Sequence, residues 1–126
     1  MIIVIDFDGT LVTHEYPKIG LEVDDSVRVV KALQDKGHKI ILYTMRHGKT
    51  LDEAVEYCKV MGIDLHAINE NPNQKEWTES PKVYAHIYID DAALGCPLIF
   101  PPKGSGIRPY ADWLGIEALL TTRGIL

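Results

Sequence analysis

The chain has 126 residues, of which 46% are hydrophobic and 25% are charged, the balance of an ordinary globular protein. This length predicts one domain, residues 1–126. The net charge of −5 argues against a nucleic-acid partner, and no apolar stretch approaches the ~20 residues of a membrane span. Cys58 and Cys96 lie far apart and predict neither a disulfide framework nor a zinc site, so we expect a cytoplasmic protein.

Apolar segments in the first half of the chain predict strands and helices in alternation. Ile2–Ile5 is a β-branched run, typical of a strand buried on both faces. Asp24–Ser26 has the composition of a helix start, and Gly37 that of a helix end. The elements that follow are predicted as a strand over 39–43, a helix over 50–61 and a strand over 65–68.

The second half of the chain is less regular. The polar stretch 69–80 is predicted as a loop, and a fourth strand is expected within 83–89, with its core at 87–89. A brief fifth strand over 98–100 and a closing helix over 110–120 complete the pattern. The alternation predicts an α/β fold, a three-layer Rossmann-like parallel sheet with helices on both faces.

Polar residues follow three of these strands at the point where each strand ends. In a parallel sheet the site lies beyond the carboxyl ends of the strands, so we expect these residues to meet at one edge. They are Asp6 and Asp8 after the first strand, Thr44 and Arg46 after the second, and Asp90 and Asp91 after the fourth.

Two acids end the first strand and need an explanation, because like charges held close together repel. Asp6 and Asp8 are two residues apart and would point the same way from an extended chain, while Phe7 turns into the core. Gly9 permits a turn that a Cβ would obstruct. Oxygen ligands without a histidine or thiolate cluster select a hard cation such as Mg²⁺. The alternative is that Asp6 and Asp8 only cap a turn.

Three segments together resemble the ordered motifs of the haloacid dehalogenase superfamily. They are DFDGTL at 6–11, LYTMR at 42–46 and SPKVYAHIYIDD at 80–91. The resemblance spans residues 2–91 and implies a Mg²⁺-dependent phosphatase acting on a phosphomonoester through an aspartyl-phosphate. Superfamily members usually insert cap domains at positions that here correspond to 11–23 and 69–81. Both segments are too short for a separate core, so the resemblance implies a fold without a cap.

The resemblance also implies roles for individual residues. Asp6 would be the nucleophile and Asp8 the general acid and base. Thr44 would bind a phosphoryl oxygen, and Lys82 would pair with the nucleophile and phosphate, with Lys75 and Lys49 as alternatives. Mg²⁺ would be held by the Asp6 carboxylate, the Asp8 backbone carbonyl and Asp90, with Asp91 adjacent.

Residues next to these motifs are expected to contact the substrate: Gly9, Thr10, Met45 and Arg46. Arg46 would bind a phosphate or carboxylate through two hydrogen bonds, with a structural ion pair as the alternative. His14 lies in a short flap and is expected either to touch substrate or to be solvated.

The expected partner is a small-molecule phosphomonoester, such as a nucleotide or metabolite. The open site would be closed by that substrate, by the chain's own loops or by a second copy in a homo-oligomer. Two other functions stay open: a phosphate-binding regulatory protein with negligible turnover, and a phosphotransferase that uses an acceptor other than water.

Overall fold

The computed structural model describes residues 1–126, and a sheet of four parallel strands lies at its centre. The strands are β1 (Ile2–Ile5), β2 (Lys39–Leu42), β3 (Leu65–Ile68) and β4 (Ile87–Ile89). They lie in the order β3-β2-β1-β4. The predicted positions of all four strands are confirmed to within a residue. Because β1 pairs with β2 on one side and β4 on the other, the carboxyl ends of these three strands are adjacent.

Three α-helices cover one face of the sheet, and none of them is long and apolar enough to cross a membrane. They are α1 (Ser26–Asp35), α2 (Gly48–Val60) and α3 (Trp113–Thr122). Their buried side chains join one core cluster with Ile3, Ile5 and Leu42 of the sheet. Right-handed crossovers from β1 to β2 and from β2 to β3 place α1 and α2 on the same side.

The opposite face has a thinner cover. Here Val4 and Ile41 pack against Val83, which belongs to the connection between β3 and β4. This connection contains a 3₁₀ helix, Pro72–Glu76, in the stretch predicted to be a loop. The α/β fold is confirmed, and the helical layer expected on this face consists of that single 3₁₀ segment.

The last third of the chain corrects two predictions. The strand predicted over 98–100 is β5 (Leu98–Ile99), which lies outside the parallel sheet and pairs antiparallel with β6 (Tyr110–Ala111). The helix predicted over 110–120 therefore begins later, at Trp113. The physical reason is an N-cap, because the Asp112 side chain accepts a hydrogen bond from the Gly115 N–H at 3.3 Å.

Candidate active site

The loop after β1 is a tight turn. The N–H groups of Thr10 and Leu11 both donate to the Phe7 carbonyl, at 3.1 and 2.9 Å, while the Phe7 ring is buried in the core. Gly9 has φ +81, and a Cβ built there would lie 2.0 Å from Nε2 of His14. The glycine predicted for this turn is therefore required both by the backbone and by the space around it.

Three carboxylates gather at the carboxyl ends of β1 and β4. Oxygen atoms of Asp6, Asp90 and Asp91 all lie within 4.8 Å of one another. The Thr10 hydroxyl lies 3.0 Å from Oδ2 of Asp6 and 3.1 Å from Oδ1 of Asp91. A hydroxyl has one hydrogen and can serve only one of these carboxylates at a time. Thr10 is fully buried and its hydroxyl lies between the two acids, while its predicted contact with substrate stays a prediction.

The acidic cluster fits a hard cation. Burial, the nearby Asp90 charge and a hydrogen bond with Asp91 together raise the pKa of Asp6 to about 8. A carboxylate in such surroundings keeps a proton unless positive charge replaces it. The three ligand groups offer oxygen atoms only, which suits Mg²⁺ better than a softer metal. The predicted ligands Asp6, Asp90 and Asp91 are thus brought together.

His14 completes one side of this cluster. Its Nε2 lies 3.0 Å from Oδ2 of Asp91, and each of the two side chains is only 14% exposed. The histidine predicted to be solvated or to touch substrate therefore contacts an acid. The flap that carries His14 folds back through a bridge between Val12 and Glu22, a tertiary arrangement without a sequence signal.

The Asp8 carboxylate has a different partner. Nε and Nη2 of Arg46 donate to its two oxygens at 2.8 and 2.7 Å, and the Arg46 side chain is 1% exposed. The alternative of a structural ion pair for Arg46 is therefore the arrangement present. The Asp8 side chain lies outside the cluster of the other three acids. Its predicted contribution to a metal site is through the backbone carbonyl, which stays a prediction.

Thr44 lies at the end of β2 in a position that leaves its hydroxyl hydrogen available. Its oxygen accepts from the Arg46 N–H at 3.1 Å, and its own N–H donates to Oδ1 of Asn69 at 2.8 Å. Asn69 follows β3 directly, with φ +54. It lies outside the three motifs, and the only signal for it in the sequence is its place directly after a strand. Met45 is 96% exposed beside Thr44.

The predicted lysine forms no ion pair with the acids. Lys82 is exposed, and its Nζ lies 6.0 Å from the centre of the Tyr88 ring. Neither Lys82 nor the alternatives Lys75 and Lys49 forms an ion pair. The adjacent Val83 packs on the thinly covered face of the sheet, against Val4 and Ile41. A catalytic role for Lys82 stays a prediction.

The fold and the site define an α/β protein with an acidic, cation-compatible centre at the carboxyl edge of a parallel sheet. The family profile of the haloacid dehalogenase-like hydrolases matches residues 3–91, and the chain belongs to this family. A solved structure described as a conserved protein from Bacteroides thetaiotaomicron is similar, with a TM-score of 0.78 and 35% sequence identity. The match covers 98% of this chain and 91% of that one. No curated protein matches the sequence.

Proposed function

We propose that this family member is a phosphatase that hydrolyses a phosphomonoester through a covalent intermediate on Asp6. The observation that carries the proposal is the cluster of Asp6, Asp90 and Asp91 within 4.8 Å. It lies at the sheet edge where such proteins bind ligands, in a chain whose family consists of hydrolases.

Mg²⁺ is the cation we propose for this cluster, held by Asp6, Asp90 and Asp91. When bound, the ion supplies the positive charge that lets a carboxylate approach an anionic phosphate. The raised pKa of Asp6, about 8, supports a bound cation, because a nucleophilic Asp6 must be ionised near neutral pH.

The proposed reaction has two steps. In the first, a carboxylate oxygen of Asp6 attacks phosphorus, and the bond from phosphorus to the leaving oxygen breaks while Asp8 gives that oxygen a proton. In the second, Asp8 takes a proton from a water molecule that attacks the phosphoryl group, which frees phosphate and restores Asp6. The Thr44 hydroxyl donates to a phosphoryl oxygen, a role supported by its available hydrogen.

The substrate we propose is a small molecule, either a nucleotide or another phosphorylated metabolite. The connections 11–23 and 69–81 are too short to form a separate cap domain over the site. A cytoplasmic location is part of the same proposal, supported by two cysteines that form no disulfide. A homo-oligomer stays a prediction.

A phosphatase assay tests this function. We expect the protein to hydrolyse p-nitrophenyl phosphate with Mg²⁺ present, and to stop when the ion is removed by EDTA. Asp6→Asn should abolish turnover because an amide is not a nucleophile toward phosphorus. Asp64→Asn is the control, since Asp64 is an exposed acid near Gln34, away from the cluster.

Two results would contradict the proposal. A folded wild-type protein that hydrolyses nothing across a panel of nucleotides, sugar phosphates and aryl phosphates would favour phosphate binding without turnover. Faster release of the leaving group with an added alcohol, and an alkyl phosphate as product, would identify a phosphotransferase.

A further inference from the structure

The Arg46 guanidinium has no hydrogen to offer a substrate. Its five N–H groups all have acceptors within the protein. Two hydrogens go to the Asp8 carboxylate, at 2.8 and 2.7 Å. The others go to the carbonyls of Lys18, Pro17 and Thr50, at 2.7, 3.1 and 3.3 Å. A phosphate could bind Arg46 only by displacing these partners.

Two aromatic rings complete the enclosure of Arg46. The guanidinium carbon lies 5.1 Å from the ring centre of Phe7 and 5.1 Å from that of Tyr16. Stacking of this kind suits the planar guanidinium and not a lysine ammonium. Arg46 thus connects the loop after β1 with the flap segment 16–18 and with the first turn of α2.

We propose that Arg46 is a positioning residue: it fixes the Asp8 carboxylate in one orientation, ties the flap segment 16–18 to it, and binds no substrate. The inference rests on the proposed function for the role of Asp8 in proton transfer. The Asp8 side chain is 20% exposed and that of Arg46 is 1% exposed, so a small molecule can approach the acid while the arginine stays enclosed by the protein. A carboxylate held by a two-pronged fork cannot rotate freely, and correct orientation is a large part of general acid catalysis.

The dependence of rate on the leaving group distinguishes positioning from substrate binding. An alkyl phosphate needs a proton on its leaving oxygen, whereas p-nitrophenolate leaves readily without one. Arg46→Lys keeps the positive charge but loses the pair of hydrogen bonds that the guanidinium donates to the two Asp8 oxygens. We expect kcat/KM for an alkyl phosphate to fall by about 10²-fold or more, and that for p-nitrophenyl phosphate by less than about tenfold. Asp8→Asn should give the same pattern. In the double variant kcat/KM for the alkyl phosphate should fall little further, because both substitutions remove the same function.

Arg28 provides a matched control. It also forms a two-pronged pair, with Glu117 at 2.8 and 3.0 Å, but its side chain is 52% exposed and lies outside the site. Arg28→Lys should leave both kcat/KM values unchanged. An equal fall for both substrates in Arg46→Lys would overturn the inference and assign Arg46 to phosphate binding.

A second measurement does not depend on activity. The Lys18 carbonyl belongs to the Lys18–Ile19 peptide bond, a trypsin cleavage site, and it accepts a hydrogen bond from Nη2 of Arg46. We expect trypsin to cleave after Lys18 faster in Arg46→Lys than in wild type or Arg28→Lys. If Arg46→Lys does not fold, the isosteric variant Asp8→Asn is used in its place. NMR then measures how fast the Nε–H hydrogen of Arg46 exchanges with water, and we expect faster exchange than in wild type. Unchanged cleavage and unchanged exchange would overturn the inference. A wild-type protein without phosphatase activity would instead refute the proposed function.

Discussion

At the scale of single residues, Gly9 shows how closely the site is packed around the backbone. Its φ of +81 is the left-handed conformation that side chains disfavour. The space where a Cβ would project is taken by the His14 ring at 2.0 Å and by Oδ2 of Asp91 at 2.6 Å. The absence of a side chain at position 9 is what allows His14 to reach Asp91.

We predict that Gly9→Ala destabilises the fold and weakens cation binding. The left-handed conformation costs an alanine about 1 kcal/mol, and moving His14 off Asp91 adds to that cost. Gly37→Ala is the control, because Gly37 has φ +88 but nothing within 4 Å of the added Cβ. Urea unfolding should show a clearly larger loss for Gly9→Ala. Equal losses of unfolding free energy in the two variants would mean that the crowding around Gly9 does not affect stability.

The residues of the site differ in how far the sequence predicts them. Asp6, Asp90 and Asp91 follow apolar strands directly, so strand order alone brings them together. Two contacts around the site do not follow from strand order: Arg46 donates to Asp8, and His14 is hydrogen-bonded to Asp91. Those contacts depend on the path of the flap, which is set by tertiary packing. The same limit applies to Lys82, which the resemblance places beside the nucleophile and whose Nζ lies 6.0 Å from the centre of the Tyr88 ring.

At the scale of elements, the strands are predictable because each is a short, mainly apolar run, fully or largely buried in β1 and β2 and partly buried in β3 and β4. The end of the chain is less so. An apolar stretch that resembles one helix is formed by Tyr110, Ala111, Trp113 and Leu114. Asp112 divides this stretch into the strand β6 and the helix α3. Both parts hold the loop after β1, because the Ala111 N–H donates to the Gly9 carbonyl at 2.9 Å and Nε1 of Trp113 donates to the Thr10 carbonyl at 2.7 Å. Thus β6 and α3 brace the loop that carries Asp6 and Asp8.

We predict that Asp112→Ala destabilises the protein by about 1 kcal/mol, the usual cost of a lost N-cap. The lost contact is the bond from the Gly115 N–H to the Asp112 carboxylate, at 3.3 Å. Asp112→Asn keeps a side-chain oxygen for this bond and should cost much less. Thermal unfolding compares the three proteins. Equal stability of the alanine variant and wild type would show that α3 does not need this cap.

At the scale of the whole molecule, the buried acids link stability to pH. The pKa of Asp6 is raised from 3.8 to about 8, chiefly by burial. Between these pH values the folded state keeps a proton that the unfolded chain has released. The contribution of Asp6 to stability is therefore fully present at low pH and is lost progressively as pH rises toward about 8.

We predict that, in EDTA, wild type loses stability relative to Asp6→Asn as the pH is raised from about 5 to about 8.5. At about 1.4 kcal/mol per pH unit the difference should amount to several kcal/mol, since the asparagine has no charge to bury. Mg²⁺ should stabilise wild type most at the upper end of this range, where Asp6 is ionised, and should affect Asp6→Asn much less. Urea unfolding at three pH values, with and without the ion, measures both effects. Parallel pH curves for the two proteins in EDTA would show that Asp6 ionises freely in the fold, and the electrostatic case for a cation between these acids would be lost.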